Sequence, residues 1–300
     1  MKITVLGGGD STEREVSLRS AAAVATALRQ VGFEVINLDP KDGLEDLDKN
    51  NGIIFPILHG QGGEDGSLQL KLESMQLPYL GSDSGSSTAS FDKVLTRQIL
   101  VEKGLPVAKG VRVNKYSYRE QQISKLPHVL KVARGGSSIG TYLVRDPDKV
   151  DQAKVDEVFS LDHEALIEEL VEGTEITIAV LDAAALPVIE IVPPSDAEFD
   201  YENKYNGKTQ EICPPQSISQ DLQAKAQELA EQVHKALGAR HLSRVDMIVR
   251  PSGELVVLEL NTMPGMTEQS LYPLSAATNN ISMPELMKRF VNLVERDYKL

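Results

Sequence analysis

The stretch RVDMIVRPSGELVVLELN, Arg244 to Asn261, constrains the fold of this chain more than any other. Apolar and polar residues alternate on both sides of Pro251-Ser252-Gly253-Glu254, the pattern of two half-buried strands joined by a tight turn. A two-residue loop at Ser252–Gly253 sets Asp246 opposite Glu259 and Arg244 opposite Asn261. Side chains alternate between the faces of a strand, so these four project together while Val245, Met247, Leu258 and Leu260 fill the other face. Two opposed carboxylates repel unless something positive lies between them. Asp, Glu and Asn offer only oxygen, which suits Mg²⁺; the other reading is an exposed charge cluster balanced by Arg244. The next segment, TMPGMTEQSLYP, is a Gly/Pro turn with amides able to line an anion, followed by a helix start at Ser270.

The first ninety residues read strand, helix, strand, strand: KITVL, SLRSAAAVATALRQVG, FEVINL and GIIFPIL, an open α/β unit. Helix DKVLTRQILVEKG opens a second unit with strands HVLKVA, GTYLV and EALIEEL. From Glu175 come the long β runs EITIAVLD and LPVIEIV, then helix DLQAKAQELAEQVHKALG, the hairpin and a terminal helix. Boundaries near 92 and 172 divide the chain into units 1–92, 93–172 and 173–300. Ser195 to Glu211, SDAEFDYENKYNGKTQE, is polar, aperiodic and fenced by Pro193-Pro194 and Pro214-Pro215. Phe199, Tyr201 and Tyr205 favour a lid over a linker there.

Two glycine-rich segments bear on chemistry. LGGGDSTEREVS follows an apolar strand as a phosphate cradle would, yet it runs at once into Glu13, Arg14 and Glu15, and a carboxylate does not suit a phosphate. RGGSSIG, Arg134 to Gly140, follows a strand containing Lys131; its backbone N–H groups, its serine hydroxyls and that lysine suit a nucleotide phosphate. It is not a Walker A loop. Gly136 to Gly140 also match G-x-S-x-G with Ser138 as a nucleophile, but that elbow needs a following helix, and TYLVR reads as a strand. A plain hairpin connection is the third reading. His59, in LHGQGGEDGSLQ, ends an apolar strand where functional groups of open α/β sheets collect, and equally suits a hydrogen-bonded structural histidine.

Composition sets the outer limits. The 300 residues, 41% hydrophobic, suffice for a sizeable core, and a formal charge of −13 without any Lys/Arg run argues against nucleic acid or an anionic membrane as partner. Anionic ligands must then meet locally placed cations. The single cysteine, Cys213, excludes an internal disulfide and reads as a small buried hydrophobe. No signal-like or membrane-spanning apolar run is present, which points to the cytoplasm.

Six ordered motifs, GGGDSTEREVS, LHGQGGEDGSLQ, Asp92-Lys93, RGGSSIG, Asn203 to Tyr205, and RVD through ELNTMPGMTEQS, make the chain resemble the bacterial D-alanine:D-alanine ligases over essentially its whole length. The resemblance implies an ATP-grasp fold: an N-terminal open α/β domain followed by two α+β subdomains that clamp ATP. It implies Lys93, Lys131 and Ser138 on the phosphates, and Glu168, Leu170 and Glu175 around adenine and ribose. Asp246, Glu259 and Asn261 would bind two Mg²⁺ ions, with Mn²⁺ able to substitute. Glu13 would pair with the ammonium of the first D-alanine and join Ser137 and Tyr205 in one hydrogen-bonded set. His59 would lie beside the substrates, Ser270 and Leu271 would receive the second D-alanine, and Arg244 with the Gly265 N–H would face the developing oxyanion. The implied reaction runs through an acyl phosphate to D-alanyl-D-alanine for peptidoglycan, in a homodimer. Related activities are a D-alanine:D-lactate ligase or another ATP-grasp carboxylate-amine ligase; a serine hydrolase and an amino-acid-binding module stand in other classes. The chain differs from the family pattern at Val132, Gly135 and Leu170.

Overall fold

The computed structural model describes residues 1–45, 47–136, 139–193 and 209–300. KITVL is buried on both faces, Ile3, Thr4 and Val5 completely, as the centre of a parallel sheet requires. It forms β1 (Lys2–Leu6), between β2 (Glu34–Leu38) and β3 (Ile53–Pro56), both parallel to it. The crossover from β1 to β2 is α1 (Arg14–Gln30), which turns Val24, Ala25 and Leu28 onto the sheet. The terminal helix of the chain packs into this same core through Leu286, Met287, Phe290 and Val294, so the two ends of the sequence share one apolar cluster.

Three short helices follow: α2 (Ser67–Ser74), α3 (Ser84–Phe91) and α4 (Lys93–Glu102). Asp92 stops α3 and starts α4, accepting hydrogen bonds from the N–H groups of Val94 and Leu95 in the manner of an N-cap. This cap fixes Lys93 at the first position of a helix. Next comes an antiparallel four-stranded sheet of order β4-β7-β5-β6, built from β4 (Gly110–Val113), β5 (His128–Val132), β6 (Thr141–Val144) and β7 (Ala165–Glu169). α5 (Gln152–Leu161) closes one face of it with Val155 and Val158.

The largest sheet has the order β11-β10-β8-β12-β13, with β9 beside β8. Its strands are β8 (Thr174–Leu181), β9 (Ala184–Ala185), β10 (Ile189–Val192), β11 (Gln210–Ile212), β12 (Leu242–Val249) and β13 (Leu255–Asn261). α6 (Gln220–Ala236) covers one face through Ala226, Leu229, Ala230 and Val233. The chain ends with α7 (Leu271–Thr278) and α8 (Met283–Tyr298). The lid segment expected over 195–211 falls mostly outside the described residues, and its last two members, Gln210 and Glu211, are instead strand, paired with Val192 and Ile191 of β10. Cys213, expected to be buried, is only half-buried, because it lies just beyond that strand's end.

The β12–β13 hairpin corrects the sequence reading in an instructive way. Asp246 does face Glu259, and Arg244 does face Asn261. The loop, however, has three residues, Pro251 to Gly253, since the N–H of Arg250 bonds the carbonyl of Glu254 and the N–H of Gly253 returns to Arg250. Gly253 has φ +84°, a left-handed conformation that glycine adopts without strain. The longer loop slips the register by one residue, and a bulge beside Asp246/Met247 restores it by leaving Leu258 unpaired. Leu258 is therefore not part of the core face; it is half-buried, and Val256, Val257 and Leu260 are the buried residues on this strand.

Phe290 of α8 packs against Tyr272 of α7 with ring centroids 6.1 Å apart and is 1% exposed. Phe290→Ala should cost about 3–5 kcal/mol in chemical denaturation. A loss below about 1 kcal/mol would mean that the terminal helix is not integral to the first core.

Candidate active site

A cleft of about 600 Å³ runs between the N-terminal sheet and the end of the β12–β13 hairpin. Glu13, His59 and Glu64 line it from the loops that follow β1 and β3, and Arg244, Glu259 and Asn261 from the hairpin. Gly265, Ser270 and Leu271 close it at the start of α7. Residues far apart in sequence thus meet in one space. Lys93 lies in an adjoining small recess with Glu259, Asn261, Gly135 and Gly136. Lys131 and Glu168 form a buried pair on the four-stranded sheet, whereas Leu170 and Glu175 are half-buried and line neither cavity. Ser137, Ser138 and Tyr205 lie outside the described residues.

The opposed carboxylates of the hairpin are held by specific cations. Arg244 presents a fork to Asp246, with Nε 2.9 Å from Oδ1 and Nη2 2.7 Å from Oδ2. Thr177, opposite Asp246 on β8, donates its hydroxyl to Oδ1 at 2.5 Å, and the Asn261 amide is 3.4 Å from Oδ2. Burial pulls the Arg244 guanidinium toward neutrality, but the charge of Asp246, its hydrogen bonds and Glu259 outweigh this and raise its pKa. Lys93 stands 3.8 Å from Glu259 and donates to the Gly135 carbonyl at 2.5 Å, tying helix α4 to the glycine-rich connection.

Among the described residues, no group of three or more His, Cys, Asp or Glu side chains is arranged to hold a metal on its own. A divalent cation here would rest on two carboxylates and the Asn261 carbonyl and complete its shell with ligand oxygens. That matches Mg²⁺, which commonly takes one or two carboxylates together with phosphate oxygens. The donor set therefore fits the ion in chemistry, with the Glu259 side chain 31% exposed toward the cleft and Asp246 held behind it.

On the opposite wall Glu13 is 7% exposed, and its carboxylate lies against the glycine backbones. A Cβ at Gly60 or Gly136 would come within 2.8 or 2.9 Å of Glu13 Oε2, so a larger residue at either place would displace that carboxylate. The turn before it is clamped by Asp39, which accepts from the Gly9 N–H at 3.0 Å and pairs with Arg14 at 2.6 Å. In LGGGDSTEREVS, Gly8 and Gly9 thus lie against the chain's own Asp39 carboxylate, while Glu13 faces the cleft. Glu64 accepts from the Gly60 N–H at 2.7 Å. Burial first, and then the charge of Glu13, push its carboxyl up to about 8. His59 is neutral, lowered to about 4 mainly by burial. Its ring nitrogens lie 3.0 Å from the Met263 carbonyl and 3.2 Å from Ser20 Oγ, which also accepts the Met266 N–H. His59 thus lines the cleft and also pins the 263–266 turn to α1.

On the four-stranded sheet, Lys131 Nζ is 2.5 Å from Glu168 Oε2. Gly110 sits opposite Glu168, where a Cβ would come within 2.6 Å of its Cγ. The N–H of Val132 bonds the Gly140 carbonyl at 3.0 Å, a bond that a proline at this position would lack. β5 and β6 pair antiparallel around RGGSSIG, so a strand follows the G-x-S-x-G match and the hydrolase elbow does not form. At the start of α7, the N–H of Thr267 donates to Ser270 Oγ at 3.0 Å.

Sequence reasoning missed Glu64, Thr177 and Ser20. The signal for Glu64 was an acidic residue inside the glycine-rich GQGGEDG that follows His59; Thr177 and Ser20 look like ordinary members of a strand and a helix.

The folded-state pKa of Glu64 lies above its ordinary 4.5. The stability it contributes is therefore complete below about 4.5 and is lost as pH rises through about 8. Glu64→Gln, which removes the titration, should gain stability relative to the parent across that window when thermal midpoints are measured against pH. A difference that does not change with pH would contradict the assignment.

A four-stranded and a six-stranded sheet flanking a site of lysines, opposed carboxylates and a glycine-rich connection define the ATP-grasp class of enzymes. Comparison with known proteins narrows this. The family model described as D-ala D-ala ligase C-terminus matches residues 99–292. The D-alanine–D-alanine ligase of Carboxydothermus hydrogenoformans is 39% identical over 98% of both chains. That of Syntrophobacter fumaroxidans is 40% identical over 99% of this chain and 98% of its own. Among solved structures, the Bacillus anthracis D-alanine–D-alanine ligase complexed with ATP superposes with a TM-score of 0.85 at 29% identity, covering 100% of this chain and 99% of that one. The Enterococcus faecalis VanG D-Ala:D-Ser ligase gives 0.85 at 30% identity, over 98% of this chain and 99% of its own. The chain belongs to the D-alanine–D-alanine ligase family.

Proposed function

We propose that this chain joins two D-alanine molecules to D-alanyl-D-alanine, a peptidoglycan precursor, with ATP hydrolysed to ADP and phosphate. The observation that carries the reading is the placement of Glu13 across one cleft from Arg244, Glu259 and Asn261. An ammonium group suits Glu13, and the cations Arg244 and Lys93 at the hairpin end, with a divalent ion on the carboxylates there, suit phosphate and carboxylate oxygens. In this reading residues near 1–92 hold the first D-alanine, and 93–172 and 173–300 enclose ATP, with Lys131, Glu168, Leu170 and Glu175 on the nucleotide side.

The carboxylate of the first D-alanine attacks the γ-phosphate, forming a carboxyl–phosphate bond and releasing ADP. The amine of the second D-alanine then adds to the acyl carbon, and phosphate leaves as the peptide bond forms. The first step brings two anions together, so its demand is charge neutralisation, met by Lys93, Lys131 and Arg244. Mg²⁺ held by Asp246, Glu259 and Asn261 would add charge to the phosphates. In the second step Arg244 and the Gly265 N–H stabilise the oxyanion, each such donor contributing about 3 kcal/mol. Ser137, Ser138 and Tyr205 belong to the closure that keeps water from the acyl phosphate. His59 orders the turn beside the first substrate, and Ser270 and Leu271 present the start of α7 to the second.

No helix among the described residues is long and apolar enough to cross a membrane. A cytoplasmic homodimer is part of the proposal.

The test is phosphate release from Mg-ATP with D-alanine as the other substrate. Glu259→Gln should lower kcat by roughly a hundredfold or more, while the fold gains from relief of the facing charges. Activity near that of the parent would remove Glu259 from the site, and release that needs a different amino acid would replace the substrate.

A further inference from the structure

We infer that Arg19 receives the α-carboxylate of the second amino acid and selects for a nucleophile that carries one; this rests on the ligase reading above. Arg19 lies on α1, in the i, i+3, i+6 row that begins at Glu13 and passes through Val16, and all three line the cleft. It is exposed, and no hydrogen bond or ion pair joins it to another described residue. The other guanidinium of the cleft, Arg244, is already forked onto Asp246.

The row has a polarity: a carboxylate at the helix start, an apolar side chain, then a cation. Six residues of α-helix rise about 9 Å. An extended dipeptide spans about 7 Å, with its ammonium at one end and its carboxylate at the other. A zwitterionic D-alanyl-D-alanine laid along α1 would therefore set its ammonium on Glu13, its methyl groups near Val16 and its carboxylate within reach of the long Arg19 side chain.

The charge of the cleft requires such a group. Glu13, Glu211, Glu259 and Glu268 all line it, and an entering carboxylate meets repulsion from each. The first amino acid loses its negative charge when it becomes the acyl phosphate, but the second keeps its carboxylate throughout the reaction. Among the described residues, the start of α7 offers the second carboxylate no full positive charge. Arg19 supplies that charge from the facing wall, as a charge-assisted and planar partner.

The experiment uses Arg19→Gln and Arg19→Lys in the full chain. The two D-alanine Michaelis constants are resolved from the concentration dependence of phosphate release, and Kd for preformed D-alanyl-D-alanine is measured by calorimetry. Arg19→Gln should raise the second D-alanine KM and the dipeptide Kd by roughly five- to tenfold, the effect of one exposed charge-assisted contact. The first D-alanine KM, the ATP KM and kcat at saturation should stay within about twofold. Arg19→Lys should recover part of the loss. With D-alaninamide as nucleophile, which lacks the carboxylate, parent and Arg19→Gln should perform alike. An unchanged second KM, or an equal loss with D-alaninamide, would overturn the inference while leaving the ligase reading intact. Failure of the parent chain to release phosphate with D-alanine would instead remove the ligase reading.

Discussion

Two carboxylates facing each other across an antiparallel pair, Asp246 on β12 and Glu259 on β13, set the terms for everything around them. Left alone they would push the strands apart, since like charges directly opposite destabilise a sheet. The surrounding residues can be read as responses to that repulsion. Arg244 and Thr177 hold Asp246 from its own side of the sheet, while Lys93 approaches Glu259 from a different part of the chain. Because Lys93 begins a helix capped by Asp92 and also bonds Gly135, the demand for positive charge at Glu259 draws the four-stranded sheet toward the hairpin. The arrangement rests on the chain's own cations, and a divalent ion with phosphates would add to it.

The opposite wall follows a different electrostatic logic. Glu13 and Glu64 are two acids close enough to influence each other, and burial raises the pKa of Glu64 so that it is largely protonated near neutral pH. Of the pair, Glu64 is the one that burial and its neighbour's charge drive toward the protonated form. His59 behind them is neutral because its surroundings disfavour a charge, and its hydrogen bonds order the 263–266 turn instead. The cleft thus sets an acidic wall, Glu13 and Glu64, across from a hairpin end where carboxylates and cations alternate. A condensation of zwitterionic amino acids driven by a nucleotide draws on both.

Much of this was legible in the sequence, and the hairpin shows why it was and where it was not. Period-two alternation identified the strands and the face shared by Arg244, Asp246, Glu259 and Asn261. The register at the site came out right through two offsetting errors: the loop has one residue more than a tight turn, and the bulge at Leu258 takes up the difference. A bulge has no clear signature in side-chain pattern, since Val256, Val257 and Leu258 are all apolar and any of them can be the unpaired one. β11 was hidden for a related reason: three residues, Gln210 to Ile212, form a strand only because β10 offers an edge. Glu64 was invisible as an acid of unusual pKa because burial is a tertiary property. Lys131 and Ser270 were already marked by the glycine-rich loop and by the turn before α7, whereas Glu168 and Leu271 entered only through motif resemblance, which spacing alone would not have done.

The distance between the two ends of the cleft is set by rigid packing. Gly81, in the loop between α2 and α3, donates its N–H to His241 Nδ1 at 3.0 Å, and His241 Nε2 lies 3.0 Å from Asp297 of α8. A ring nitrogen that accepts from a backbone N–H cannot carry a proton of its own, so His241 is neutral with its hydrogen on Nε2, consistent with a pKa lowered to about 4, chiefly by burial. Arg240 beside it bonds the Gly81 carbonyl at 2.9 Å and stacks on Tyr79 and Tyr298. Together with the Ser20–His59–Met263 contacts, this seam joins the N-terminal sheet to the strand that carries Arg244 and Asp246. Reacting groups misplaced by about 1 Å can lose a hundredfold in rate. A seam in which each of these groups is hydrogen-bonded or stacked sets the positions from which Glu13 and Arg244 face the cleft.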